Sequence, residues 1–142
     1  MQLKDKVVLV TGAGSGMGRL AAQNMARDGA LVAALDIDEA GLATTRENDP
    51  RISIFPCDVT NAPRLEAIAK QVETDLGPID RVYAAAAILP SGKLMDQDSA
   101  TIHRTMEINY GGVVNTVKAT LPAMLERGQG DMVLFASMAG WQ

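Results

Sequence analysis

Apolar residues along this chain switch repeatedly between short unbroken runs and stretches with helical spacing. Val7-Val8-Leu9-Val10 is such a run, and it predicts a strand over Val7–Thr11. A helix follows over Met17–Asp28, closed by Gly29. The pattern then predicts a second strand, Leu31–Asp36, and a helix over Asp38–Arg46 that Gly41 weakens. Ile52–Phe55 reads as a short third strand. Thr60 or Asn61 caps a helix reaching about Leu76, with Pro63 in its first turn and Gly77-Pro78 past its end. Asp80–Ala85 is a fourth strand and Met132–Ala136 a fifth. Between them, Ser99–Asn109 and Tyr110–Arg127 form two consecutive helices or one bent helix, with Gly111-Gly112 near the junction. Runs that alternate with helices in this way predict βαβ units and a parallel sheet.

The first turn carries the strongest chemical signal. Thr11-Gly12-Ala13-Gly14-Ser15-Gly16-Met17-Gly18 lies between the first strand and the first helix. Strand, glycine turn and helix form the context of a dinucleotide-binding loop. One glycine makes the sharp turn, one lets the backbone approach a pyrophosphate, and one lets helix and sheet pack closely. The helix N-terminus offers free N–H groups and the positive end of a dipole. Asp36 ends the second strand, eighteen residues after Gly18. A carboxylate there can accept hydrogen bonds from both hydroxyls of an adenine ribose. The plainer role, capping the next helix, suits Asp38 better. Ile37 follows Asp36, and Ser15 stands in the loop where a cation would meet a 2′-phosphate. Both features favour NAD over NADP.

Composition narrows the picture without changing it. Apolar residues make up 47% and charged residues 21% of 142 positions, as in an ordinary globular domain. A chain of this size forms one domain and buries about 68% of its unfolded surface. The net charge of −4 gives no reason to expect nucleic acid or a membrane surface as partner. The apolar runs fall short of the ~20 residues of a membrane helix. Cys57 is the single cysteine, so no intrachain disulfide can form, and a cytoplasmic location is expected. His103 reads as a solvated helix position, Cys57 as a packed thiol at a strand end, and the eight methionines as core filling. No Cys, His and carboxylate cluster has metal-ligand spacing.

The spacing Thr-Gly-x-x-x-Gly-x-Gly, filled by Thr11, Gly12, Gly16 and Gly18, resembles the ordinary branch of the short-chain dehydrogenase/reductase family. The resemblance runs along the whole chain and implies an α/β, Rossmann-like fold. Its sheet is doubly wound, parallel and of order 3-2-1-4-5, with helices on both faces in three layers. It implies an NAD-dependent oxidoreductase that interconverts a small-molecule alcohol and a carbonyl, as a homo-oligomer. Asp58-Val59 looks like the family's adenine-contacting pair; the plainer reading is a turn Asp after Pro56. Asn109 looks like the family's helix Asn, which supports the active site; the plainer reading is a helix-breaking Asn before Gly111-Gly112. Ser137, in Ser137-Met138-Ala139-Gly140 after the fifth strand, looks like the catalytic Ser that orients the substrate oxygen. The expected cofactor residues are Gly12, Ser15, Gly16, Met17, Gly18, Asp36, Ile37, Asp58, Val59 and Ala85, and the expected catalytic residues are Asn109 and Ser137.

Two departures stand out. Where the family usually carries Asn-Asn-Ala-Gly after the fourth strand, this chain has Ala84-Ala85-Ala86-Ala87. Backbone groups there must find other partners, and Ala87 narrows any close approach. The family's Tyr-x-x-x-Lys pair falls past Gln142, and neither Tyr83 nor Tyr110 has a Lys four positions on. Residues 1–142 therefore read as a single dinucleotide-binding domain, incomplete at its C-terminus, and inactive alone. Alternatives are a non-catalytic dinucleotide-binding or interaction module, and a remnant that binds no cofactor. The intact glycine loop, Asp36 and Ser137 argue against the remnant.

Overall fold

The computed structural model describes residues 3–137. Five parallel strands form one sheet in the order β3-β2-β1-β4-β5. They are β1 (Val7–Thr11), β2 (Leu31–Asp36), β3 (Ile52–Pro56), β4 (Ile79–Ala84) and β5 (Asp131–Leu134). The helices are α1 (Gly16–Arg27), α2 (Glu39–Arg46), α3 (Ala62–Asp75), α4 (Ser99–Met106) and α5 (Gly112–Arg127). This is the Rossmann-like, doubly wound order expected from the sequence.

The central strand shows why the pattern reads so clearly. Every residue of β1 is buried, and alternate side chains enter different cores. Val7 and Leu9 pack with Leu65, Ile68 and Val72 of α3 and Met124 of α5. Val8 and Val10 pack with Ala22, Met25 and Ala26 of α1 and Leu42 of α2. Two cores on one sheet give the three layers. The sheet's C-terminal edge is then left for loops, which is where ligands bind in open α/β sheets.

Some local features depart from the periodicity. β1 and β4 slip register between Val7 and Val8, so that Asp80 faces no partner on β1. Its carboxylate accepts instead from the Val7 N–H and the Lys6 Nζ, both at 3.0 Å. The stretch before α5 is one bent helix, as one of the two expected alternatives had it. α4 passes through a π-helical turn, Glu107–Gly111, directly into α5. Gly112 does not break this helix; a Cβ there would lie 2.5 Å from Val59 Cγ2, so the glycine lets α5 cross the β3–α3 loop. Gly41 likewise fits a tight site, with Gly14 O and Asp38 Oδ2 each 2.5 Å from where its Cβ would be.

The methionines are a correction. Met25 and Met124 are buried, but Met17, Met95 and Met106 stand largely exposed. They lie on a loop-lining helix start, in the β4–α4 connection and at the end of α4, not in either core. Met1 and Met138 lie outside the described residues. His103 is exposed and Cys57 buried, as expected.

Among the described residues β5 is the sheet's edge, and Leu134 and Phe135 remain substantially exposed. Its tie to β4 is partly ionic. Register partners Arg81 and Asp131 make two parallel hydrogen bonds, Nε–Oδ1 at 2.6 Å and Nη2–Oδ2 at 2.8 Å. The Arg81 hydrogen bonds outweigh burial and hold the Asp131 carboxyl below its ordinary value. A lowered native value means the stabilisation is complete above the pH where an unfolded aspartate ionises. It disappears as pH falls through the native value. Asp131→Asn is therefore expected to cost at most about 1 kcal/mol at neutral pH, since the pair is partly solvated, and nothing in strong acid. Urea denaturation of both proteins across that range checks this, and a cost independent of pH contradicts it.

Candidate functional site

The glycine turn is shaped by two close contacts. β1 ends at Thr11, and Gly12 turns the chain with φ +71°. A Cβ on Gly12 would lie 2.7 Å from the Ala86 nitrogen and 2.8 Å from the Ala85 carbonyl, so the loops after β1 and β4 touch backbone to backbone. A Cβ on Gly18 would overlap the Gly12 carbonyl oxygen, and this fixes the start of α1 against the turn. Gly16, in contrast, has nothing within 4 Å of its Cβ position. The three glycines thus divide into turn, close packing and open surface. Arg19, Thr45 and Gln23 brace the loop from behind: Arg19 donates to the Gly14 carbonyl, the Thr45 hydroxyl to the Ala13 carbonyl (2.6 Å) and Gln23 to the Thr45 carbonyl (3.2 Å).

The N-terminus of α1 is left without a side-chain cap. Asp38, Asn61 and Asp98 cap α2, α3 and α4 with their own carbonyl or carboxylate oxygens. Ser15, the N-cap of α1, makes no such bond. The first N–H groups of a helix have no intrahelical partner, and here Ser15, Gly16, Met17 and Gly18 line an open cleft.

Asp36 faces the same cleft and is not a helix cap. Its Oδ2 accepts the Gly14 N–H at 2.8 Å and its Oδ1 accepts the Asp38 N–H at 2.9 Å. Gly14 is fitted to it, since a Cβ there would sit 2.8 Å from the Asp36 Cγ. Both oxygens retain a lone pair for further donors.

Asp58 sits in a tighter network. Oδ1 accepts from the Thr60 N–H (2.9 Å) and the Thr60 hydroxyl (2.8 Å), and Oδ2 from Arg104 Nη2 (2.8 Å). Burial alone would raise its pKa. The Thr60 donors and the Arg104 guanidinium outweigh burial and hold the carboxyl below its ordinary value. Neighbouring Cys57 is shifted up, chiefly by burial, with Arg64 opposing and Asp58 reinforcing. It is a packed thiol, not an activated one.

The alanine run has found other partners. Thr11 supplies its carbonyl to the Ala85 N–H (3.2 Å) and its hydroxyl to the Ala86 N–H (3.3 Å). Asn109, inside the π turn, clamps Ile88 from both sides: its Oδ1 accepts the Ile88 N–H (2.9 Å) and its Nδ2 donates to the Ile88 carbonyl (2.8 Å). Asn109 is thus no helix breaker. Ser137 lies three residues past β5, exposed, and is not among the cleft-lining residues; Met138-Ala139-Gly140 lie outside the described residues.

Every residue expected at a cofactor lines one cleft of about 380 Å³: Gly12, Ser15, Gly16, Met17, Gly18, Asp36, Ile37, Asp58, Val59 and Ala85. Cys57, Ala86, Ala87, Ile88, Arg104 and Ile108 complete it. Sequence reasoning missed Arg104 and Ile108. They stand one helical turn apart, and nothing local marks a residue 46 positions from Asp58 as its partner. Among the described residues no cluster of His, Cys and carboxylates could hold a metal ion, and no helix is long and apolar enough to cross a membrane.

Comparison with known proteins agrees with this architecture. The family profile for short chain dehydrogenase matches residues 6–142. The 2-keto-3-deoxy-L-fuconate dehydrogenase of Xanthomonas campestris pv. campestris is 36% identical, over 97% of this chain and 45% of its own length. Human epidermal retinol dehydrogenase 2 is 32% identical, over 95% of this chain and 45% of its own length. The crystal structure of a candidate short-chain dehydrogenase/reductase from Burkholderia xenovorans superposes with a TM-score of 0.92 at 30% identity, covering 99% of this chain and 57% of that one. The chain thus spans about half the length of the relatives it matches. With the glycine turn, the sheet order and the family profile in agreement, the chain belongs to the short-chain dehydrogenase family.

Proposed function

We propose that this chain forms the NAD-binding half of an oxidoreductase that interconverts an alcohol and a carbonyl. The observation that carries the reading is the pairing, in one cleft, of an α1 N-terminus without a side-chain cap and a carboxylate pinned by the Gly14 N–H. When bound, NAD supplies a hydride acceptor or, reduced, a hydride donor. The amides of Ser15 to Gly18 hold its pyrophosphate, where N–H groups and the helix dipole favour negative charge. Asp36 accepts from the adenine-ribose hydroxyls, and Asp58 from the adenine amine. Asn109 keeps the Ile88 backbone fixed beside the Ala85–Ala87 segment. Ser137 orients the substrate oxygen through its hydroxyl.

NAD is preferred to NADP because a 2′-phosphate would meet the Asp36 carboxylate and find no cation in the loop. Asp36→Ala combined with Ile37→Arg is expected to shift the ratio of dissociation constants toward NADP by at least about tenfold, or about 1.4 kcal/mol. Calorimetric titration checks this; tighter binding of NADP than NAD by the unaltered protein contradicts the assignment.

These 142 residues contain no Tyr-x-x-x-Lys pair to exchange a proton with the substrate oxygen. General acid/base groups supply about 10²–10⁴-fold in rate. The 142-residue polypeptide is accordingly expected to bind NAD without oxidising secondary alcohols; turnover at an ordinary enzymatic rate would show that another group moves the proton. A non-catalytic dinucleotide-binding module is the second reading, since the cleft lining carries the residues for a dinucleotide and binding alone asks for no more. It is supported if the complete gene product also binds NAD and turns nothing over.

Association is expected as well. Leu134 at the end of β5, Phe135 just past it, and Met106, Tyr110, Val114 and Leu125 along α4, the π turn and α5 leave apolar surface exposed. Such surface marks interfaces, and β5 holds no Lys or Pro to discourage edge pairing. Light scattering during size-exclusion chromatography checks this: an oligomer is expected, and a stable monomer of about 15 kDa at high concentration contradicts it.

A further inference from the structure

We propose that Arg104 is a positioning residue for the purine end of the cofactor. It fixes the plane of the Asp58 carboxylate so that Oδ2 accepts a hydrogen bond from the exocyclic amine of adenine. The inference rests on the reading of the cleft as an NAD site.

The geometry points to this role. A carboxylate offers about four acceptor positions. Three are filled: Thr60 takes both on Oδ1, and Arg104 Nη2 takes one on Oδ2 at 2.8 Å. The one remaining position belongs to the oxygen that Arg104 holds. Thr60 anchors only Oδ1 and leaves the carboxylate free to rotate about that anchor. The second bond, from α4, removes that freedom. Arg104 is itself restrained, because its Nη1 donates to Glu107 Oε2 (2.8 Å) and to Thr60 Oγ1 (3.3 Å). Both Arg104 and Asp58 line the cleft. The side chains are 41% and 32% exposed. A partly solvated pair contributes little to folding, so what the contact supplies is orientation. Glu107 also opens the π turn that carries Asn109. One short helical stretch therefore holds the purine end through Arg104 and the Ile88 segment through Asn109.

The test compares NAD with nicotinamide hypoxanthine dinucleotide, in which a carbonyl acceptor replaces the 6-amino donor. The native protein is expected to bind NAD roughly tenfold more tightly, the effect of one hydrogen bond to a charged acceptor. Arg104→Met should bring the two affinities close to equality while leaving the thermal unfolding midpoint unchanged. Arg104→Lys should restore part of the preference. A merely structural role would weaken both dinucleotides equally and keep their ratio. An unchanged ratio in Arg104→Met therefore overturns the proposal, as does tighter NAD binding, which would make Arg104 an obstruction. Should Arg104→Met not fold, a full native ratio in Arg104→Lys, whose ammonium cannot reproduce the fork, also overturns it. If the native protein discriminates but the variants do not differ from it, only the role of Arg104 falls. If the native protein binds neither dinucleotide, the NAD reading falls first and the proposal with it.

Discussion

Everything in the cleft depends on one close approach, that of α1 to the turn that precedes it. Gly18 has no side chain because its Cβ would overlap the Gly12 carbonyl oxygen, and Gly12 has none because the Ala85–Ala86 backbone lies against it. These contacts bring the loops after β1 and β4 together at the C-terminal edge of the sheet, and the contact of Gly14 with Asp36 adds the end of β2. Only with the helix start pressed that close can its N–H groups, the Asp36 carboxylate and the Ala85–Ile88 segment share a wall. The buried alternation of β1 between two cores holds the platform rigid beneath them.

The electrostatics follow from the same packing. Asp36 is placed by backbone donors, Gly14 and Asp38. Asp58 is placed by Thr60 and by a cation from another element. Two carboxylates therefore face the cleft, each with acceptor capacity left over, next to the positive end of a helix. Such a surface favours a ligand with negative charge at the helix and neutral donors at the two acids. An adenine nucleotide without a 2′-phosphate has that distribution.

The sequence made the strands and the glycine turn legible because they obey local rules. β1 and β2 each end one polar residue past their apolar runs, at Thr11 and Asp36, and the glycines cluster where the chain must turn and pack. Less was legible where the determinant is remote. The π turn at Glu107–Gly111 joins two predicted segments that no periodicity rule connects. Asp80 is an ordinary strand residue in the sequence, yet it fills the register slip between β1 and β4. Gly41 looked like a weakness in α2, although Gly14 and Asp38 crowd the space a side chain would need. Arg104 had no signal at all, since its meaning comes from Asp58, 46 positions away in the chain. The exposed Met17, Met95 and Met106 show the converse, apolar residues whose type alone suggested burial.

Amide NMR of the isotope-labelled protein during titration with NAD tests the central claim most directly. The account predicts shift changes concentrated in the amides of residues 14–18, 36–38 and 58–60, where the uncapped helix start and the two acids meet. Saturating NAD that leaves those amides unmoved, or moves a different face of the sheet, would contradict it.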